Sequence, residues 1–195
     1  MPSIRLKSLR FDQLRFRKLG DLTITLAERL TLIAGHNGIG KSTILGLCAN
    51  GSGLRDADFQ SYLNRAFVAN LNDIVHLDYV REFEEPTSSA IELPSPVLQY
   101  EINDEILFKR CALTRRTERR EVRVVPRNDP HAPWISQDGL QVGQDAKVPL
   151  PTIYLGMTRM LPIGEERAIQ VGLARHLMKG SMPRTRNLYA ILSMR

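Results

Sequence analysis

One stretch of the sequence combines glycines, a lysine and hydroxyl side chains at a spacing that suits phosphate binding. It runs from Gly35 to Thr43 and fits the pattern Gly-x4-Gly-Lys-Ser. Gly38 and Gly40 let the backbone approach phosphate groups closely, and the amides that follow form an anion nest at a helix N-terminus. Lys41 is expected to reach the β- and γ-phosphates, and the Ser42 hydroxyl to ligate a bridging Mg²⁺. The predicted nucleotide-binding residues are Gly35, Asn37, Gly38, Ile39, Gly40, Lys41, Ser42 and Thr43, with Ser42 also the predicted metal ligand.

The elements on either side of this loop are those that such a loop requires. Leu30–Ala34 is continuously apolar and predicts a strand buried on both faces. The apolar side chains of 44–48 predict a helix that ends at the Asn50-Gly-Ser-Gly53 segment. Upstream, alternation over 4–9, 14–16 and 22–26 predicts half-buried strands. This context favours a true nucleoside triphosphate site, for ATP with Mg²⁺, over a chance match.

The segment Ile4–Thr43 resembles the start of the SMC/RecF-like branch of the ABC-type (AAA) P-loop ATPases. The resemblance rests on the strand, the Phe16-Arg17 pair near a turn, the second strand and the Asn37-Gly-x-Gly-Lys-Ser42 loop. It implies an α/β P-loop NTPase fold, an ABC/SMC-like head lobe with a mixed sheet and an antiparallel β-hairpin region. It also implies that Arg17 helps to hold the nucleotide, and that the protein belongs to a DNA-repair or phage-defence type of ATPase. The segment Ile153–Glu165 is similar to part of bacterial ATP-binding proteins of this branch.

Several parts of a complete head of this type are missing after Thr43. There is no Leu-Ser-Gly-Gly-like signature segment, no Walker B strand ending in Asp-Glu and no switch histidine. Ile74–Asp78 resembles Walker B only superficially, and we expect it to be a strand of the first lobe. The resemblance therefore implies an incomplete N-terminal lobe over 1–179 with a basic tail over 180–195. Such a lobe would need a second ATPase head or a C-terminal half, and would hydrolyse ATP poorly alone, with its catalytic residues unknown.

The remaining elements follow from periodicity and turn residues. Strands are predicted at 97–102, 106–113, 121–125 and 152–155, and helices at 60–71 and 165–179, with loops over 84–96 and 126–151. The resemblance also implies a Q-loop glutamine, but Gln99 lies within a predicted strand and Gln60 comes early in the chain, so neither is assigned to it.

The positive charge of the chain is concentrated in one segment. Eight Lys or Arg and two Glu lie between Lys109 and Arg127, which accounts for the whole net charge of +6. We expect a hairpin with its turn at Arg115–Arg120. Two interpretations remain open, a solvated basic face or a surface that binds DNA phosphates. The candidate DNA-binding residues are Arg115, Arg116, Arg119, Arg120 and Arg123.

Composition and cysteine use indicate a cytoplasmic protein that does not enter a membrane. No apolar run is long enough to span a bilayer, no secretory signal is apparent, and Cys48 and Cys111 lack metal-ligand spacing. Two alternative functions remain, a small P-loop kinase and a nonenzymatic nucleotide-gated interaction module. The two strands before the loop argue against the kinase, and the absence of an Asn-Lys-x-Asp motif argues against a GTPase.

Overall fold

The computed structural model describes residues 2–54, 67–78, 94–116, 118 and 121–155. The chain divides into two compact units, Met1–Tyr154 and Leu155–Arg195. All elements given below belong to the first unit. The helix predicted at 165–179, the basic tail and residues 60–66 of the helix predicted at 60–71 lie outside the described residues.

The main element is a five-stranded sheet with the order β2-β1-β5-β6-β7, in which every neighbouring pair is antiparallel. The strands are β1 (Ile4–Phe11), β2 (Leu22–Thr25), β5 (Val97–Ile102), β6 (Glu105–Arg116) and β7 (Glu121–Asn128). The long hairpin of β6 and β7 runs in register from Lys109 opposite Asn128 to Arg116 opposite Glu121. A register shift between Leu6 and Ser8 interrupts the pairing of β1 with β5.

One face of this sheet carries the core because apolar residues alternate along its strands. In β5, the side chains of Leu98, Tyr100 and Ile102 are fully buried, whereas Gln99 and Glu101 between them are half-buried. In β7, Val122 and Val124 are buried and Arg123 is half-buried. This two-residue period places every second side chain against the helices that cover the sheet.

Two helices complete the core. They are α1 (Lys41–Gly51) and the short α2 (Leu71–Ile74). Asn50, which is 2% exposed, joins them to the sheet: its Nδ2 donates to Val124 O at 3.1 Å, and its Oδ1 accepts from Leu71 N at 3.1 Å. Two minor two-stranded sheets are formed by β3 (Gly53–Leu54) with β4 (Phe67–Val68) and by β8 (Trp134–Ile135) with β9 (Gln141–Val142).

The strands with clear alternation were predicted well. The strand at 97–102 matches β5 to the residue, and those at 4–9, 106–113 and 121–125 are parts of the longer β1, β6 and β7. The helix that follows the glycine-rich loop is confirmed as α1. The helix predicted at 60–71 was wrong over its described part, because Phe67–Val68 form β4 and only Leu71 is helical. The segment 126–151, predicted as a loop, contains the end of β7 and the β8–β9 pair. In 152–155, only Leu155 takes part in a bridge.

Three strand predictions were wrong. Residues 14–16 are not a strand, because Phe16 closes a tight turn onto Leu19. Ile74 ends α2, and residues 75–78 have no strand pairing. Leu30–Ala34 is not a strand either, and Leu30 and Leu32 are 82% and 87% exposed. Apolar composition favours a strand only where another strand lies beside it, and none of the described strands pairs with this segment.

The mixed sheet of a P-loop ATPase remains a prediction. The five-stranded sheet of the described residues is antiparallel throughout, and a single parallel bridge joins Ser52 to Val148. No helix in this part of the chain is both long enough and apolar enough to cross a membrane.

Candidate phosphate-binding site

The glycine-rich loop leads directly into the N-terminus of α1. Gly38 and Gly40 have φ of 78° and 111°, backbone conformations that residues other than glycine rarely adopt. Gly40 is the N-cap of the helix, and no side chain caps it. The first turn also contains no acidic residue whose charge would oppose an anionic ligand at this helix N-terminus.

Lys41 folds back over the loop that precedes it. Its Nζ donates to Gly35 O and to His36 O, both at 2.7 Å. These carbonyls hold the ammonium group within the curve of the loop, beside the amides of the first helical turn. The arrangement places one full positive charge and a helix N-terminus at the same point, which is the chemistry that phosphate recognition requires.

Arg17 lies against the start of α1. Its Nη1 donates to the Thr43 hydroxyl oxygen at 3.3 Å, across 26 residues of sequence. Arg17 adopts φ of 60° at the tip of the turn between Phe16 and Leu19. The structure therefore brings together two of the predicted site residues, one before the loop and one at its end.

The two hydroxyl residues differ in their surroundings. Ser42, the predicted Mg²⁺ ligand, is exposed, whereas Thr43 is 4% exposed and faces Arg17. Asn37 is also exposed, and Ile39 packs near the backbone of Gly35. Among the described residues, no group of three or more His, Cys, Asp or Glu side chains is arranged to hold a metal ion.

The basic segment is largely paired where its side chains are described. Arg123 Nε lies 3.2 Å from Glu121 Oε1, Arg127 Nε lies 3.3 Å from Asp145 Oδ1, and Arg110 Nε lies 3.9 Å from an oxygen of Asp129. The side chains of Arg115, Arg116, Arg119 and Arg120 lie outside the described part of the structure. DNA binding by this hairpin stays a prediction, and the described arginines are better accounted for by their acidic neighbours.

Sequence reasoning missed the part of the turn that supports Arg17. Phe16 and Leu19 are buried beneath it, and Lys18 between them is exposed beside the loop. The available signal was the pattern of two apolar residues flanking two cations, followed by Gly20. The central positions do not hold the Gly, Asn or Asp residues that usually mark such a turn, so the local signal was weak.

The chain matches no protein-family model, no curated protein and no solved structure. The geometry described above is therefore the basis for a functional assignment, together with the sequence pattern of the loop.

Proposed function

We propose that this protein binds ATP–Mg²⁺ through the loop at 35–43. The observation that carries the proposal is the position of Lys41, whose ammonium group is held at 2.7 Å from two loop carbonyls at the N-terminus of α1. A polyphosphate that replaces these carbonyls gains the charge of Lys41 and the free amides of the first turn together. Arg17 adds a second cation on the Thr43 side.

We further propose that the loop belongs to the N-terminal lobe of an SMC/RecF-like ATPase, whose site is completed by a second head or a C-terminal half. The support is the exposure of Leu30 and Leu32, in an apolar segment that runs directly into the loop. An exposed apolar strand-like segment is a ready site for pairing with another strand. A partner that covers it would stand next to the phosphates and could bring the carboxylates that hydrolysis needs.

Titration of the full chain with a fluorescent ATP analogue in the presence of Mg²⁺ tests the first proposal. Wild-type protein should bind, and Lys41→Ala should lose most of the affinity because a charge-assisted contact to phosphate is removed. Lys7→Ala is the matched control: Lys7 pairs with Glu101 at 3.0 Å on β1 and is half-buried there. Equal affinity of wild type and Lys41→Ala would refute the site.

A turnover assay with γ-labelled ATP separates the enzymatic alternatives. Slow release of inorganic phosphate by the chain alone is expected for an incomplete ATPase lobe. Label on a small acceptor would instead establish a P-loop kinase. Binding without any turnover, even when a partner is supplied, would establish a nucleotide-gated interaction module.

A further inference from the structure

The turn that carries Arg17 is rigidly anchored. Phe16 N donates to Leu19 O at 2.8 Å, and Leu19 N donates to Phe16 O at 3.0 Å, so only Arg17 and Lys18 form the tip. Phe16 is fully buried and Leu19 is 6% exposed, and both belong to the main core. A two-residue tip closed by two hydrogen bonds has little backbone freedom, so the fold sets where the side chains of Arg17 and Lys18 leave the backbone.

This turn lies along the phosphate-binding loop. Leu19 packs against Gly40 so closely that a Cβ built on Gly40 would stand 3.1 Å from Leu19 Cδ1. The ammonium nitrogen of Lys18 would be 4.0 Å from a Cβ built on Gly38. Arg17 therefore reaches the helix end of the loop, and Lys18 reaches its tip.

The three cations at this loop have no acidic partner in the described part of the chain. No ion pair there involves Arg17, Lys18 or Lys41. By contrast, two basic residues of β1 form ion pairs, Arg5 with Glu28 and Lys7 with Glu101. A concentration of unneutralised positive charge around an anion nest is complementary to a ligand with several negative charges.

We propose that Lys18 is a further nucleotide-binding residue, which contacts the terminal phosphate of the nucleoside triphosphate at the tip of the loop. The inference rests on the proposed ATP site. The loop amides and Lys41 would contact the β- and γ-phosphates, and the ammonium group of Lys18 beside Gly38 is placed to add a further positive charge at the γ-phosphate, the terminal one. Lys18 thereby favours a triphosphate over a diphosphate.

The test compares two variants that remove one positive charge from the same segment, Lys18→Gln and Arg15→Gln. Arg15 is exposed, and its side chain lies over Gly20. Dissociation constants for ATP and ADP are measured by calorimetry on the full chain with Mg²⁺. Relative to wild type, Lys18→Gln should have a dissociation constant for ATP that is about tenfold higher, because one charge-assisted contact is lost. Its dissociation constant for ADP should rise less than about threefold. Arg15→Gln should change either constant less than about twofold, and Lys18→Arg should retain most of the ATP affinity.

Each outcome has a defined meaning. If Lys18→Gln binds ATP as tightly as Arg15→Gln does, or if it loses ATP and ADP affinity equally, the role of Lys18 at the terminal phosphate is refuted while the site itself stands. If wild-type protein does not bind ATP, or if Lys41→Ala binds it as well as wild type does, the proposed function fails and this inference fails with it. A urea denaturation curve for each variant shows whether lost affinity reflects lost folding, which is not expected for an exposed side chain.

Discussion

Replacing Gly40 by alanine tests how the loop is held against the turn. Gly40 has φ of 111°, so any side chain there is strained by about 1–2 kcal/mol. The new Cβ would also lie 3.1–3.2 Å from three atoms of Leu19, which is almost fully buried and has little room to move. Overpacking of this kind adds roughly 1–3 kcal/mol. We therefore expect Gly40→Ala to lower the free energy of unfolding by about 2–5 kcal/mol.

Gly38→Ala separates the two contributions. Gly38 also has a positive φ, of 78°, but its surroundings are open apart from Lys18 Nζ at 4.0 Å. This variant should therefore show only the backbone strain, about 1 kcal/mol. The assay is urea denaturation followed by circular dichroism, with the free energies obtained by linear extrapolation.

A double-mutant cycle makes the reasoning refutable. Leu19→Ala removes the three atoms that a Cβ on Gly40 would meet. In that background, Gly40→Ala should cost only about 1–2 kcal/mol, the strain alone. Equal losses for Gly38→Ala and Gly40→Ala, or an additive cycle, would show that packing of Leu19 against Gly40 does not constrain the loop.

Three further predictions concern the core. Asn50→Ala should destabilise the protein by about 2–4 kcal/mol, measured in urea, because it leaves Leu71 N and Val124 O buried without their partner. Burial lowers the pKa of Lys109 from 10.5 to about 8, although the negative charge of Asp145 acts in the opposite direction. Between these pH values, Lys109 is therefore protonated in the unfolded chain and largely deprotonated in the folded protein. The free energy of unfolding of wild type relative to Lys109→Met should consequently rise from pH 8 to pH 10.5. Burial raises the pKa of the Cys111 thiol to about 12, so peptide mass analysis should find this thiol labelled at pH 8 only in denaturant.

The sequence predicted the sheet best where one face is buried and the other is not. Along β5, the apolar residues at 98, 100 and 102 alternate with polar ones, and the strand was placed to the residue. A strict period of two leaves no helical alternative, and it also fixes the side that faces the core. A strand with such alternation can therefore be predicted from its own residues, without information on the rest of the chain.

The segments that were misassigned depend on distant contacts. The apolar run at 30–34 is compatible with a buried strand, but strand formation requires a partner that local sequence does not specify. The same holds for Ile74, which ends α2 in a helical pair with α1 rather than entering a strand. Of the candidate site, the loop residues followed from the motif, whereas the approach of Lys18 to Gly38 depends on a turn anchored 20 residues earlier in the chain.

The exposed segment at 30–34 and the phosphate-binding loop are physically coupled. Gly35, whose carbonyl accepts one of the two hydrogen bonds from Lys41, follows Ala34 directly. In the segment itself, the side chains of Leu30 and Leu32 are exposed. Lys41 must release both carbonyls before it can reach a phosphate, which costs about 0.5–1.5 kcal/mol for each bond. If a partner strand fixes the backbone up to Gly35 and thereby lowers this cost, partner docking and nucleotide affinity are linked. ATP should in turn strengthen partner docking by the same factor, and Leu32→Asp should abolish the docking while leaving the ATP affinity of the isolated chain unchanged. Loss of ATP affinity in isolated Leu32→Asp would contradict this account.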